Sequence, residues 1–290
     1  MNSAQNRYEI FLKVAELGNI TLAAEALNYT QSGVSHAVAA MEREAGCLLF
    51  HRSKTGVTLT PNGRSLLPYV RQLISRQHAL DQAMDALSSR VAGRLRVGSF
   101  TSFTAIYMPA LIRDFEAQYP DVTVELVNGP YRDIEEKILS SHIDCGFLTG
   151  VETEGLAFHP LFDDEMFLIV PPDHVLAAAG NIALDQLREY ELISQFRGSD
   201  HDVQKIFASA GFRPQTRFIL DDDISVMGMV SQGMGLALMP GMMLNTANFA
   251  LARIPLAPRQ FRSIGIASAP LAESTMLVRT FIRFCHDRFS

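Results

Sequence analysis

Lysine and arginine are missing from Val14 through Glu42, so almost the whole of one predicted helix carries no fixed positive charge. Long apolar runs are missing too. None approaches the roughly 18–20 residues that a membrane-spanning helix needs. The opening MNSAQNRYEIFLKVAEL has no basic n-region, no extended apolar stretch and no small-residue cleavage site, so no secretory signal is expected. Cysteine is scarce and widely spaced, at Cys47, Cys145 and Cys285. An odd number at such spacing is neither a disulfide framework nor a zinc pattern, and it suits a reducing cytoplasm. No nucleophile motif, phosphate-binding loop, dinucleotide fingerprint or metal constellation occurs, so no enzyme, metal or cofactor is expected.

What is present is a 290-residue chain that is 48% hydrophobic and 19% charged, a balance typical of a soluble globular protein. That length exceeds what one core usually supports and predicts about two to three domains. The formal net charge of -6 is unevenly spread. Residues 1–90 carry nine Lys or Arg against seven acids, and the excess of acid lies in the remainder.

Helical periodicity dominates residues 3–62. Tyr8, Phe11, Leu12, Val14, Ala15 and Leu17 share a face, and Gly18-Asn19 reads as a helix end. Thr21 is expected to cap a second helix, with Leu22, Ala23, Ala26 and Leu27 as its buried stripe. After the turn Asn28-Tyr29, Thr30 caps a third helix whose inward face is Val34, Val38, Met41 and Ala45. Ala23, Ala24 and Gly33 are small enough to let the two helices cross closely, and Gln31, Ser32, Ser35, His36 and Arg43 face outward. The pair reads as a helix-turn-helix. Val57, Leu59 and the turn Lys54-Thr55-Gly56 then read as a small hairpin, or wing, with Arg52 and Lys54 on it. Thr60-Pro61 is a cap followed by a first helical position, predicting a long helix to about residue 89. Leu66, Val70, Leu73, Gln77, Leu80, Met84 and Leu87 repeat along it at alternating steps, a heptad seam that predicts pairing of two copies.

From Gly93 onward strands and helices alternate: GRLRVGSF, a helix over about 103–118, VTVELV, a helix over 132–140, then IDCGFL. After Phe158-His159-Pro160 a second such unit begins at EMFLIV and ends near LALM. RSIGIAS and a helix from about Glu273 close the chain. The alternation predicts parallel sheet with helical crossovers, in two lobes that leave a cleft between them.

FLKVAELGNITLAAEALNYTQSGVSHAVAAMEREAGCLLFHRSKTGVTLTPNGRSLLPYV resembles, without a gap, the N-terminal domain of LysR-type transcriptional regulators. The shared features are the alanine pair after Thr21, the Thr-Gln-Ser-x-Val-Ser core, Leu-Phe-x-Arg in the wing and Thr-Pro-x-Gly opening the linker helix. YPDVTVELVNG, IDCGF and VSQGMGLALMP follow the pattern of the family's two-lobed domain, which is similar to periplasmic binding proteins. Ser32 stands where the family commonly has Pro, and His36 where it has Arg or Lys. The implied fold is an N-terminal all-α winged helix-turn-helix over 3–62, a linker helix over 63–90, and an α/β effector-binding domain over 91–290. Its lobe I would span about 91–161 and 267–290, and lobe II about 162–266.

The resemblance implies a cytoplasmic regulator that binds double-stranded promoter DNA, with no membrane partner. It would pair through the linker helix, within a tetramer in many relatives. The candidate DNA-binding residues are Thr21, Thr30, Gln31, Ser32, Ser35, His36, Arg43, Arg52, Lys54 and Arg64. Hydroxyls and helix N–H groups suit phosphate, Gln31 suits adenine, and His36 can donate to guanine or to phosphate. Arg52 is equally able to pair with Glu42 or Glu44 inside the domain.

In the family a small-molecule effector lies between the lobes. Carried onto this sequence, its contacts are Ser99, Phe100, Thr101, Ser102, Asn128, Gly129, Thr149, Gly150, Phe196, Arg197, Ser199 and Asp222. The Ser/Thr group suits a carboxylate, which makes an organic anion a candidate effector. Asp221-Asp222-Asp223 reads either as a cap for the helix from Ile224 or as a repellent of acidic ligands. Two alternatives stay open. One is an oxidant sensor of the same fold using its cysteines. The other is a two-lobed binding protein or enzyme with no DNA function, which would leave the first 90 residues without a use.

Overall fold

Apolar stripes at helical spacing build the first helices, α1 (Ser3–Leu17), α2 (Ile20–Ala26) and α3 (Gln31–Ala45). In this computed structural model residues 3–53, 56–87, 91–150, 154–195, 201–220, 222–246, 248–272 and 274–289 are described. Phe11, Val14, Ala23, Val34 and Val38 are buried together with Leu49 and Phe50 in one core. Thr30 caps α3, accepting from the Gly33 N–H at 3.1 Å, a contact worth about 1 kcal/mol. Gly46 ends α3 in the left-handed conformation with φ of 67°, which suits a residue without a Cβ.

Some expectations for this region need correcting. Asn19, not Thr21, caps α2: its Oδ1 accepts from the N–H groups of Thr21 and Leu22 at 2.8 and 3.2 Å. Ala45 is exposed rather than inward, because it lies in the last turn before Gly46, where the chain leaves the core. A Cβ on Gly33 would meet Thr30 and Tyr29, so its smallness serves its own cap and not a close crossing of α2.

The wing is the antiparallel pair β1 (Phe50–Ser53) and β2 (Gly56–Leu59). Thr60 Oγ1 then accepts from the Gly63 N–H at 3.0 Å and opens the long helix α4 (Pro61–Leu87). Its first turns belong to the N-terminal core, where Val70 is buried and Leu66 packs.

The chain divides into two compact units, residues up to Met84 forming the body of one and residues from Asp85 that of the other. In the second, β3 (Gly93–Ser99) is followed by α5 (Thr101–Ile106) and α6 (Met108–Gln118). These are two helices and not the single one expected. Pro109, just inside α6, lacks the N–H that a continuous helix would use and crowds the turn before it. β4 (Val122–Asn128), α7 (Tyr131–Leu139) and β5 (Cys145–Thr149) complete the parallel part, with β3 paired to β4 and β5.

β6 (Ala157–Val170) leads into the second lobe, made of β7 (Ile182–Ala183), β8 (Glu191–Gln195), α8 (His201–Ser209), β9 (Gln215–Leu220), α9 (Asp223–Ser231) and β10 (Ala237–Pro240). β11 (Ala252–Ser268) returns, and α10 (Met276–Phe289) ends the chain. The sheet is mixed rather than all parallel, because β6 and β11 run antiparallel along most of their lengths. They are single long strands that serve both lobes, so β6 passes straight through Phe158-His159-Pro160, where a break was expected. β11 pairs with β5 at its far end, with β6 on either side of residues 256–259 and with β7 at Leu256 and Ala257, while β6 also pairs with β10. The first lobe's core is rich in rings, with Phe103, Phe115, Phe147 and Phe281 fully buried. The second lobe's is aliphatic, around Leu168, Leu187, Leu192 and Ile254.

Candidate functional site

On the N-terminal unit the outward side of α3 displays Gln31, Ser32 and His36, all exposed, with Ser35 half-buried among them. Thr30 Oγ1, which caps the Gly33 N–H, also lies 3.1 Å from Ser32 Oγ at the helix start. Thr21 and Arg43 are also exposed, and Arg52 stands exposed on β1. Lys54 lies outside the described residues. The internal partners considered for Arg52 are occupied elsewhere. Glu42 Oε1 accepts from the N–H groups of Leu49 and Phe50 at 2.8 and 3.1 Å, and Glu44 pairs with Arg7. Arg64 is exposed but donates to the Leu59 carbonyl at 2.8 Å, tying the end of the wing to the start of α4. Further along α4, Leu73, Leu80 and Met84 are 49%, 60% and 56% exposed, so the later half of the apolar seam lacks cover. The Leu87 side chain lies outside the described residues.

The second unit holds a cavity of about 310 Å³ between its lobes. Phe100, Thr101, Ser102, Asn128, Gly129 and Asp222 line it. Ser99 is buried behind the wall, its hydroxyl 3.5 Å from the Phe100 carbonyl oxygen, and Gly150 is exposed and outside the lining. Phe196, Arg197 and Ser199 lie outside the described residues. Asp222 caps α9, its Oδ1 accepting from the Ser225 N–H at 2.8 Å and its Oδ2 from the Ser225 hydroxyl at 2.7 Å. Those bonds hold its carboxyl below the usual range.

The polar centre of the cleft was not anticipated. Arg262, on β11, is 7% exposed and donates through Nε to Asp164 Oδ2 at 2.9 Å and through Nη1 to the Tyr131 hydroxyl at 2.9 Å. Asp164 in turn accepts from the Met242 N–H at 3.0 Å. Asp202, in the first turn of α8, accepts from the Thr149 hydroxyl at 2.9 Å and lies 3.8 Å from Arg262 Nη1. Asp223 accepts from Gln195, and burial pushes its carboxyl up to about 6, against the pull of Arg262. Arg262 and Asp164 were invisible to local patterning because they are 98 positions apart and meet only where β6 and β11 pair.

Cys145 and Cys285 are fully buried in the first lobe's core, and burial pushes both thiols up, so thiolate is scarce at either. Among the described residues no group of His, Cys, Asp and Glu is arranged to hold a metal, and no helix is long and apolar enough to cross a membrane.

Residues 5–64 match the bacterial regulatory helix-turn-helix proteins of the lysR family, and residues 88–290 match the LysR substrate binding domain. The chain belongs to the LysR family of transcriptional regulators. An uncharacterized HTH-type transcriptional regulator of Bacillus subtilis, YvbU, is 28% identical to this regulator over 97% of each chain. Full-length OxyR from Pseudomonas aeruginosa shares its fold with a TM-score of 0.79 at 21% identity, over 100% of this chain and 95% of that one. CbnR complexed with its target DNA gives 0.69 at 22% identity over the whole of both chains. The winged helix-turn-helix, linker helix and two-lobed α/β domain are therefore those of the family.

Proposed function

We propose that this LysR-family chain acts in the cytoplasm as a transcription factor, not an enzyme, and that a small molecule in its cleft modulates its hold on promoter DNA. A DNA-binding domain over residues 3–62 would place Gln31, Ser32, Ser35 and His36 at base edges and phosphates. Thr21, Thr30, Arg43, Arg52, Lys54 and Arg64 would hold the backbone around them. The observation that carries this reading is the outward face of α3, where Gln31, Ser32 and His36 are polar and exposed. Most hydrogen bonds between proteins and DNA go to phosphate and sugar, and uncharged donors can make them. The missing lysines and arginines thus weaken each head without removing its means of binding.

Exposed Leu73, Leu80 and Met84 support pairing of two copies through a linker helix over 63–90. An effector-binding domain over 91–290 would carry the cleft, with Phe100, Thr101, Ser102, Asn128, Gly129 and Asp222 against the ligand. Incubating the intact protein with fragments of its source genome and sequencing those retained tests the reading. Reproducible enrichment of a few upstream fragments is the expected result. Retention without any enrichment would reject it.

A further inference from the structure

A carboxylate already sits at the polar centre of the cleft, and it belongs to the chain itself. Asp202, on the first turn of α8, lines the cavity together with Tyr131 and Arg262. Its Oδ1 accepts from the Thr149 hydroxyl at 2.9 Å, and its Oδ2 accepts from the Tyr131 hydroxyl at 3.3 Å. Arg262 Nη1 lies 3.8 Å from the same Oδ2. All three partners come from outside α8: Tyr131 opens α7, Thr149 ends β5 and Arg262 lies on β11.

These partners are held in place by contacts that do not involve Asp202. The Tyr131 ring meets Phe100 edge-on, with centroids 5.0 Å apart. Arg262 is anchored by Asp164, which accepts from its Nε at 2.9 Å. Arg262 Nη1 donates to the Tyr131 hydroxyl oxygen at 2.9 Å, which leaves the Tyr131 proton for Asp202 and strengthens it as a donor. Thr149 is 5% exposed, so its hydroxyl would be costly to leave without an acceptor. Two hydroxyl donors beside a guanidinium thus make a fixed seat for a carboxylate, and the second lobe supplies the carboxylate that fills it.

We propose that Thr149, Tyr131 and Arg262 form a carboxylate-binding site that Asp202 occupies as a built-in competitor, taking the effector reading of this cleft as given. An effector carboxylate enters by displacing Asp202, so its binding releases α8 from the first lobe. One carboxylate replaces another at the same donors, so the exchange does not depend on the balance of charge elsewhere in the cleft. The rest of the ligand lies in the cavity of about 310 Å³, against Ile193, Val226 and Met239. Asp202 is tethered and competes at high effective concentration, which holds affinity down until a ligand gains contacts beyond its carboxylate.

Formate is the probe, because it matches the carboxylate that Asp202→Ala removes. Thermal midpoints of the intact protein are followed through a formate titration at constant ionic strength, with formamide as the neutral match. The expected result is that Asp202→Ala binds formate at least roughly ten-fold more tightly than the unaltered protein, the scale of one hydrogen bond to a charged group. Asp202→Asn keeps the shape and an acceptor oxygen, so it should gain nothing. Adding Thr149→Val to Asp202→Ala should remove the gain. In the unaltered protein formate should quicken amide exchange of α8 and chloride should not, a readout that needs no variant to fold. No gain in Asp202→Ala, an equal gain in Asp202→Asn, or α8 exchange alike in formate and chloride would overturn the inference. If formate binds Asp202→Ala as expected but leaves retention of the enriched DNA fragments unchanged, the site stands and the effector reading falls.

Discussion

The Thr149 hydroxyl, at the end of β5 in one lobe, donates to Asp202 Oδ1, on the first turn of α8 in the other, at 2.9 Å. Tyr131 adds a longer contact to Asp202 Oδ2 at 3.3 Å. Asp202 therefore ties the lobes across the cleft, close to Arg262 on the strand they share.

Thr149→Val removes that tie while keeping the shape of the side chain. A hydrogen bond to a charged group contributes about 1.5–3 kcal/mol, so amide exchange across α8 should quicken by roughly ten-fold or more, with α10 unchanged. Equal protection of α8 in both proteins would mean that the contact does not hold the lobes.

Asp223 sets a pH dependence. Its carboxyl is raised to about 6 in the folded protein from an ordinary 3.8, so the folded state holds the proton more tightly than the unfolded one. Its contribution is fully present below the ordinary value and is lost as pH rises toward about 6. Asp223→Asn should therefore stabilise the effector domain at pH ~7.5 by on the order of 2–3 kcal/mol, and by almost nothing near pH ~4. Thermal midpoints at the two pH values check this, and a difference that grows toward acid would contradict it.

His36 bears on recognition. His36→Ala should weaken binding to enriched DNA and relax its sequence preference, and His36→Arg should raise affinity for any DNA. With Arg43, Arg52, Lys54 and Arg64 as the fixed charges of one head, log affinity against log salt should fall with a slope of only about 3–4 per head. Fluorescence anisotropy over a salt series measures both, and operator binding unchanged in the two variants would remove His36 from the interface.

Leu80→Glu probes the seam. Leu80 is 60% exposed, so the change should leave the thermal midpoint nearly untouched while weakening self-association by at least about ten-fold. Sedimentation velocity over a concentration series reads this directly. Unaltered association would place the pairing surface elsewhere.

The N-terminal unit was the more legible from sequence because its determinants are local. Thr30 and Thr60 each cap the helix that follows within three residues, and the wing strands pair over neighbouring stretches of the chain, Phe50–Ser53 with Gly56–Leu59. Asn19 was misplaced as part of a helix end because two potential caps, Asn19 and Thr21, stand two positions apart, and only the backbone angles at Asn19 decide between them. The cleft was half legible. Loops at strand ends supplied Thr101, Asn128 and Asp222, whereas Arg262, Asp164 and Asp202 come together from three separate elements. Pro160 also misled, since it sits within a long strand whose pairing with β11 bulges at Ile264–Gly265. A proline read locally marks a break, but a bulged strand accommodates it.

The central claim is that Gln31, Ser32, Ser35 and His36 on α3 read sequence while copies of the head supply grip. The most direct test compares the intact protein's affinity for an enriched upstream fragment with that for a shuffled fragment of equal length and composition, at physiological salt. The account predicts a preference of about 10³-fold or more, the lower end for specific DNA-binding proteins. Equal affinity for the two fragments would contradict it.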